Sequence, residues 1–193
     1  MSAAPAIMST VMLQPWCADW PTHFAAVRAS VLALFAPGAV VVEHIGSTSV
    51  PGLAAKPVID AMLGAATLAE IESRIGALRG IGYAYVPKYE RELPMRRYFT
   101  SDTVIPLRVH LHAVETGSDF WRTHLAFRDA LRGDPALRDE YQALKQRLAR
   151  TFARDKAAYS EAKGPFIRSV LDRVAGSPSP ANAGAPAAGA PTG

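Results

Sequence analysis

The stretch EHIGSTSVPGLAAKPVID, residues 43–60, decides how this chain is read. Val40–Ile45 is short, apolar and β-branched, as a buried strand requires, and Pro57–Leu63 repeats that character after a turn-rich piece. Between them Gly46 opens a Gly-Ser-Thr run. Glycine lets a backbone come close to a ligand. If a short helix starts at Ser49, its free amides and the hydroxyls of Ser47 and Thr48 face one point, an arrangement that favours phosphate. Lys56 adds a point charge, and Asp60 projects from the second strand as a metal ligand or base. Phosphoryl chemistry uses these parts: donors for the oxygens, a cation, and a carboxylate to hold Mg²⁺. A lone Gly-Ser-Thr is usually only a turn. The specific signal is that turn with Lys56 and Asp60 placed around a β-turn-β unit. No Gly-x-x-x-x-Gly-Lys-[Ser/Thr] loop is present.

Upstream, Asp19–Trp20–Pro21 opens a helix whose apolar face is Phe24, Val27, Val31, Leu32 and Leu34–Phe35, stopped by Pro37–Gly38. Downstream, Leu68–Leu78 reads as a second amphipathic helix ending near Gly80–Ile81–Gly82. Tyr83–Val86 and Arg96–Thr100 read as strands around a polar loop with Lys88, Arg91 and Glu92. Val104–Val114 alternates in its second half, with His110 and His112 on one face and Leu111 on the other. Phe120–Arg132, Pro135–Thr151 and Lys156–Val174 follow as helices. This segregated order predicts an α+β domain with a small mixed sheet and C-terminal helices.

The 193 residues suit one domain, and 49% apolar with 20% charged residues is an ordinary globular balance. The single cysteine, Cys17, excludes an internal disulfide and a cysteine-based metal site. No basic-then-apolar leader and no run of about 18–20 apolar residues is present, so the expectation is a cytoplasmic protein without a membrane span. A net charge of +4 permits an anionic ligand but gives no clear sign of nucleic acid, since zinc-finger, RNP and arginine-rich signatures are missing. The expected organisation is a flexible N-terminus (1–10), one domain (11–175) and a disordered Pro/Ala/Gly-rich tail (176–193), whose composition cannot offset the entropy of ordering.

The string from Glu43 to Asp60 closely resembles the GrpB-like family, assigned to the nucleotidyltransferase-like superfamily. The resemblance runs from about Leu13 to Val174. It includes Pro15–Trp16–Cys17–Ala18–Asp19–Trp20, His110–Leu111–His112 and Phe127–Arg128–Asp129–Ala130–Leu131–Arg132. It continues through Tyr141–Gln142–Ala143–Leu144–Lys145 and Tyr159–Ser160–Glu161–Ala162–Lys163. The resemblance implies that Val40–Ile45 and Pro57–Leu63 are adjacent strands of a mixed sheet flanked by helices. In active nucleotidyltransferases a Gly-Ser loop precedes two acids in an Asp-x-Asp/Glu pattern. This chain matches with Gly46, Ser47 and Asp60 but has Met62 at the second acid, which puts two-metal chemistry in doubt.

His110 and His112 are candidates to compensate. With Asp60 they would make a two-His, one-carboxylate cluster for a divalent metal (Mg, Mn or Zn; imidazole suits zinc or manganese better than magnesium). The alternative is that they hydrogen-bond to Asp60 or line an anion pocket. His44 is either a phosphate donor or a structural histidine, and Glu43 reads as a salt-bridge partner. Arg97, in a basic cluster with Lys88, Arg91 and Arg96, resembles a retained basic site and could clamp a nucleotide's phosphates. Tyr159 and Lys163, four apart on a helix, either close the pocket or simply pack.

Two functions are compatible with these residues. One is a metal-dependent transferase moving a nucleotidyl or phosphoryl group to a small acceptor, with Asp60 and Lys56 catalytic. In it Gly46, Ser47, Thr48, His44, Arg97, Tyr159 and Lys163 bind phosphate or nucleotide. The other is a binding module for a nucleotide or anionic metabolite on a degenerate fold. The sequence leaves oligomeric state open.

Overall fold

A computed structural model describes residues 11–176. The expected flexible N-terminus (1–10) and, apart from Gly176 at the end of a helix, the expected tail (176–193) lie outside the described residues. Helix α1 (Asp19–Leu32) leads into β1 (Val41–Ile45), a 3-10 turn at Ser47–Ser49 and β2 (Val58–Ala65). Then come α2 (Leu68–Glu72), α3 (Ile75–Gly80), β3 (Ala84–Tyr85), β4 (Arg96–Ser101) and β5 (Arg108–Glu115). Four helices end the described residues: α4 (Asp119–Gly133), α5 (Pro135–Thr151), α6 (Lys156–Glu161) and α7 (Gly164–Gly176).

Capping chemistry explains several starts. Side chains of Thr67, Ser118, Asp134 and Asp155 accept from backbone amides in the first turns of α2, α4, α5 and α6. Two expected helices are each broken in two. In Leu68–Leu78 the Ser73 hydroxyl donates to the Glu70 carbonyl at 2.7 Å and competes with the helix ladder, so α2 ends and α3 restarts. In Lys156–Val174, Pro165 has no amide to donate to the Glu161 carbonyl, and α6 and α7 separate at Ala162–Lys163. That second break puts Lys163 on a bend rather than in a helix.

The sheet order is β1-β2-β5-β4-β3, with β2 and β5 parallel and every other pair antiparallel. The α+β expectation of a small mixed sheet with helices packed on it therefore holds. Side chains alternate across the sheet. Ile59, Ala61, Leu63, Val109, Leu111 and Ala113 go to one face, where they bury against Trp20, Val27, Val31, Ile71 and Leu78 of α1–α3. Each large aliphatic so buried stabilises the fold by roughly 1.5–3 kcal/mol. The other face is filled only in patches. Ile45, Met62 and Val114 pack under Phe120, Trp121 and Leu125, while Val50, Leu53, Leu131, Leu137, Tyr141 and Val170 form a separate cluster. Polar groups occupy the space between them. No described helix is long and apolar enough to cross a membrane.

Candidate functional site

Register puts the polar groups together. Asp60 lies opposite Ile45 on β1 and beside His110 on β5, and Met62 lies beside His112. Across the next strand His112 faces Tyr98 and His110 faces Thr100. All of these share the incompletely filled face. Asp60 Oδ1 and His110 Nδ1 are 3.1 Å apart. A carboxylate only accepts, so Nδ1–H is the donor, and in the neutral form of the ring the lone pair is on Nε2. Burial pushes the Asp60 carboxyl up. The hydrogen bond from His110, with the electrostatic pull of its neighbours including Lys163, outweighs it and holds the group below its ordinary value. Asp60 is an anion here.

His112 turns its Nδ1 to Arg96 Nη1, 3.1 Å away. Guanidinium only donates, so Nδ1 accepts and the neutral ring carries its proton on Nε2. Burial, opposed by Asp60 and reinforced by Arg96, drives this ring down to about 3, so it is neutral. An Nε2–H group is a hydrogen-bond donor and has no lone pair for a metal. The expected Asp60–His110–His112 metal cluster is thus corrected to an Asp60–His110 pair with His112 as a neighbouring donor. Among the described residues no group of three or more His, Cys, Asp or Glu is placed to hold a metal ion. Met62, at the second acid position, is fully buried in hydrocarbon. This donor set does not fit the divalent metals of a nucleotidyltransferase.

Cations gather instead. A chamber of about 230 Å³ is lined by Ser47, Thr48, Lys56, Asp60, His110, His112, Lys145, Tyr159 and Lys163. Lys163 Nζ lies 4.7 Å and Lys56 Nζ 5.2 Å from the centre of the Tyr159 ring. Lys145 is 1% exposed, donates to the Ala54 carbonyl and sits 5.2 Å from the Tyr141 ring. Burial, then Lys163 and Lys56, lowers Lys145 to about 7. Burial, then Lys56, lowers Lys163 to about 8 against the pull of Asp60. Burial lowers Lys56 as well. Three lysine side chains thus share a chamber in which Asp60 is the one lining carboxylate, and their mutual repulsion favours release of protons.

The loop has a different logic from the one its sequence suggests. Gly46 has φ +69° and ψ −175°, a conformation essentially restricted to glycine. A Cβ there would stand 2.9 Å from Asp60 Cβ and Cγ, so the glycine admits the carboxylate rather than a ligand. The helical turn starts at Ser47, not Ser49, and the Ser49 and Val50 amides bond back to Gly46 and Ser47 carbonyls. The Thr48 hydroxyl donates to the Val58 carbonyl at 3.1 Å and accepts from His44 Nε2 at 3.1 Å. Thr48 therefore braces the loop. Ser47 is the hydroxyl left over, with no hydrogen bond to another described residue.

Two expected ligand contacts stand elsewhere. His44 pairs with Ala61, on the opposite sheet face, and stacks on Phe24 at 4.5 Å. Burial, opposed by Asp60, takes it down to about 4, so it is a neutral structural donor. Arg97 also has opposite parity from Asp60's face. It is held by Glu72 at 2.6 Å, by Glu90 at 3.8 Å and by the Pro94 carbonyl at 2.9 Å. Arg96, one residue earlier, has the parity that reaches His112. Glu43 is a salt-bridge partner, 2.6 Å from Arg128.

Residues without a site role in the sequence reading appear as well. Lys145 looks like an exposed helix cation. Its one signal is its place four residues after Tyr141 and eight after Leu137, on the buried stripe of α5. His124 and Tyr141 line a second cavity, of about 290 Å³, that meets the first at Ser47, Asp60, His112 and Lys163. A third cleft, of about 580 Å³, holds Arg28, Arg128, Arg132 and Arg138, but the last three are engaged by Glu43, Asp129, the Ser49 carbonyl and Asp139.

A family model described as GrpB protein matches residues 10–173. The glutamate-rich protein GrpB of Alkalihalophilus pseudofirmus is 30% identical over 137 residues, 69% of this chain and 78% of that protein. The solved structure of conserved protein GrpB from Enterococcus faecalis matches with a TM-score of 0.73 at 30% identity, covering 84% of this chain and 96% of that one. A dephospho-CoA kinase of Mycolicibacterium paratuberculosis is 29% identical over 186 residues. That match covers 85% of this chain and 46% of the kinase, so this chain spans about half of that protein.

Proposed function

The chain belongs to the GrpB family, and from that premise we propose that it binds a phosphate-bearing small molecule, such as a nucleotide, in the lysine-lined chamber. The observation that carries the reading is the charge imbalance: Lys56, Lys145 and Lys163 against Asp60, in a space walled by Tyr159. Buried like charges are costly, and an entering phosphate relieves that cost while its oxygens take up the lysine donors and the Ser47 hydroxyl. Arginine is not required, because lysines grip phosphate as point charges.

The Asp60–His110 pair favours a second reading, transfer without a metal. Asp60 orients His110, whose Nε2 removes the proton from an acceptor hydroxyl. The freed oxygen attacks phosphorus, the bond to the leaving phosphate breaks, and that group departs with the electron pair toward the lysines. Transfer of the two-metal type is not part of this proposal, since Met62 cannot hold a cation.

Thermal unfolding in EDTA, scanned across nucleoside mono-, di- and triphosphates and dephospho-CoA, tests the binding reading. A ligand at about 100 times its Kd should raise stability by about 2.7 kcal/mol. The expected result is stabilisation that needs no divalent ion. Absence of any shift across that panel would contradict it.

A further inference from the structure

We propose that the ligand is a phosphate ester with an apolar or planar aromatic body: the phosphate lies among the lysines and the body fills the adjoining cavity. The inference rests on the phosphate-binding reading and adds the class of molecule. The two cavities share Ser47, Asp60, His112 and Lys163, so a molecule held by the lysines meets an opening into the second space. That second space adds a wall of hydrocarbon to the polar waist. Its walls include Val50, Phe127, Leu131, Ile167 and Leu171.

Beyond the four residues it shares with the chamber, its polar members are Thr123, His124, Arg128 and Tyr141, and the first three already have hydrogen-bond or ion-pair partners. Arg128 is matched by Glu43 and Asp129 at 2.6 and 2.7 Å. His124 donates Nδ1–H to the Phe120 carbonyl at 2.7 Å and stacks on the Phe120 ring at 3.9 Å. A polyhydroxylated body would leave hydroxyls against the hydrocarbon of Val50, Phe127, Leu131, Ile167 and Leu171, which is costly. An alkyl chain or a flat ring gains from burial there. The ester oxygen would fall at the shared waist, beside Asp60, His112 and Ser47.

Isothermal titration in EDTA with monoalkyl phosphates from ethyl to hexyl, ribose 5-phosphate and pyrophosphate separates the possibilities. Affinity is expected to rise about two- to fourfold per methylene, with ribose 5-phosphate no tighter than ethyl phosphate. Thr123→Trp, at an exposed α4 position on the cavity wall, and Ile167→Trp should each remove the chain-length dependence and leave pyrophosphate binding intact. A flat alkyl series, ribose 5-phosphate matching hexyl phosphate, or a chain-length dependence untouched in both variants overturns the inference while pyrophosphate binding preserves the reading beneath it. Failure of every phosphate compound to bind overturns both.

Discussion

Lys145→Met is expected to weaken phosphate-ligand binding by about 10- to 100-fold, the size of a lost charge-assisted hydrogen bond, and to remove a pH dependence of stability. Lys145 is 1% exposed and shares its space with Lys56 and Lys163, and among the described residues only the Ala54 carbonyl accepts from it. Its ammonium sits at about 7 in the fold against 10.5 for the free group. Between those values the unfolded chain holds a proton that the folded chain has released, so the stability of the ligand-free protein rises with pH across that window. Below about 7 both states are protonated and the penalty of the buried charge is complete. Binding runs the other way: an anion favours the charged lysine, so affinity falls as pH rises through 7 and 8, where Lys145 and Lys163 lose their protons. Methionine fills a similar volume with no charge. Urea unfolding and phosphate-ligand titration of parent and variant, each at pH 7 and 9.5, check all three expectations. Equal pH slopes in variant and parent would contradict the buried-cation assignment.

Gly46→Ala is expected to cost about 2–4 kcal/mol and to disturb the site even where the chain still folds. Alanine at φ +69° and ψ −175° carries backbone strain, and its methyl would overlap the Asp60 carboxylate. Relief requires Asp60 to swing away, which breaks its 3.1 Å contact with His110. Chemical denaturation measures the stability loss, and the imidazole resonances of His110 report the broken pair. A variant with parental stability and unshifted His110 signals would show that the turn has no such constraint.

The sheet was largely legible in the residues. Two β-branched runs flanking Gly46–Ser47–Thr48, and the alternation of His110–Leu111–His112, were enough to place Asp60 and His110 on a common sheet face once β2 and β5 pair in parallel. The parity of β4 was not legible. Shifting a strand's phase by one residue exchanges its faces, and the choice between Arg96 and Arg97 turns on where the strand begins after Met95. Arg97 carries the expected charge but spends it on Glu72 and Glu90.

Helix breaks show the same limit. A local competitor such as the Ser73 hydroxyl, or a missing amide at Pro165, outweighs a periodic pattern that continues on both sides. Lys145 was hidden for another reason. A lysine in a charged helix reads as solvated, and only the packing of α5 against the loop at Ala54 reveals that it is buried. The Gly46 loop was recognised but its reason differs, since the space left by the missing side chain is taken by Asp60 and not by a ligand.

A crystal of this chain soaked with tungstate, with the anomalous map calculated at the tungsten edge, tests the convergence of Lys56, Lys145, Lys163 and Ser47 most directly. The account predicts the dominant peak in the lysine chamber, within about 4 Å of at least two ammonium nitrogens. A map with its strong peak in the arginine cleft beside Arg28, and nothing between the lysines, would contradict it.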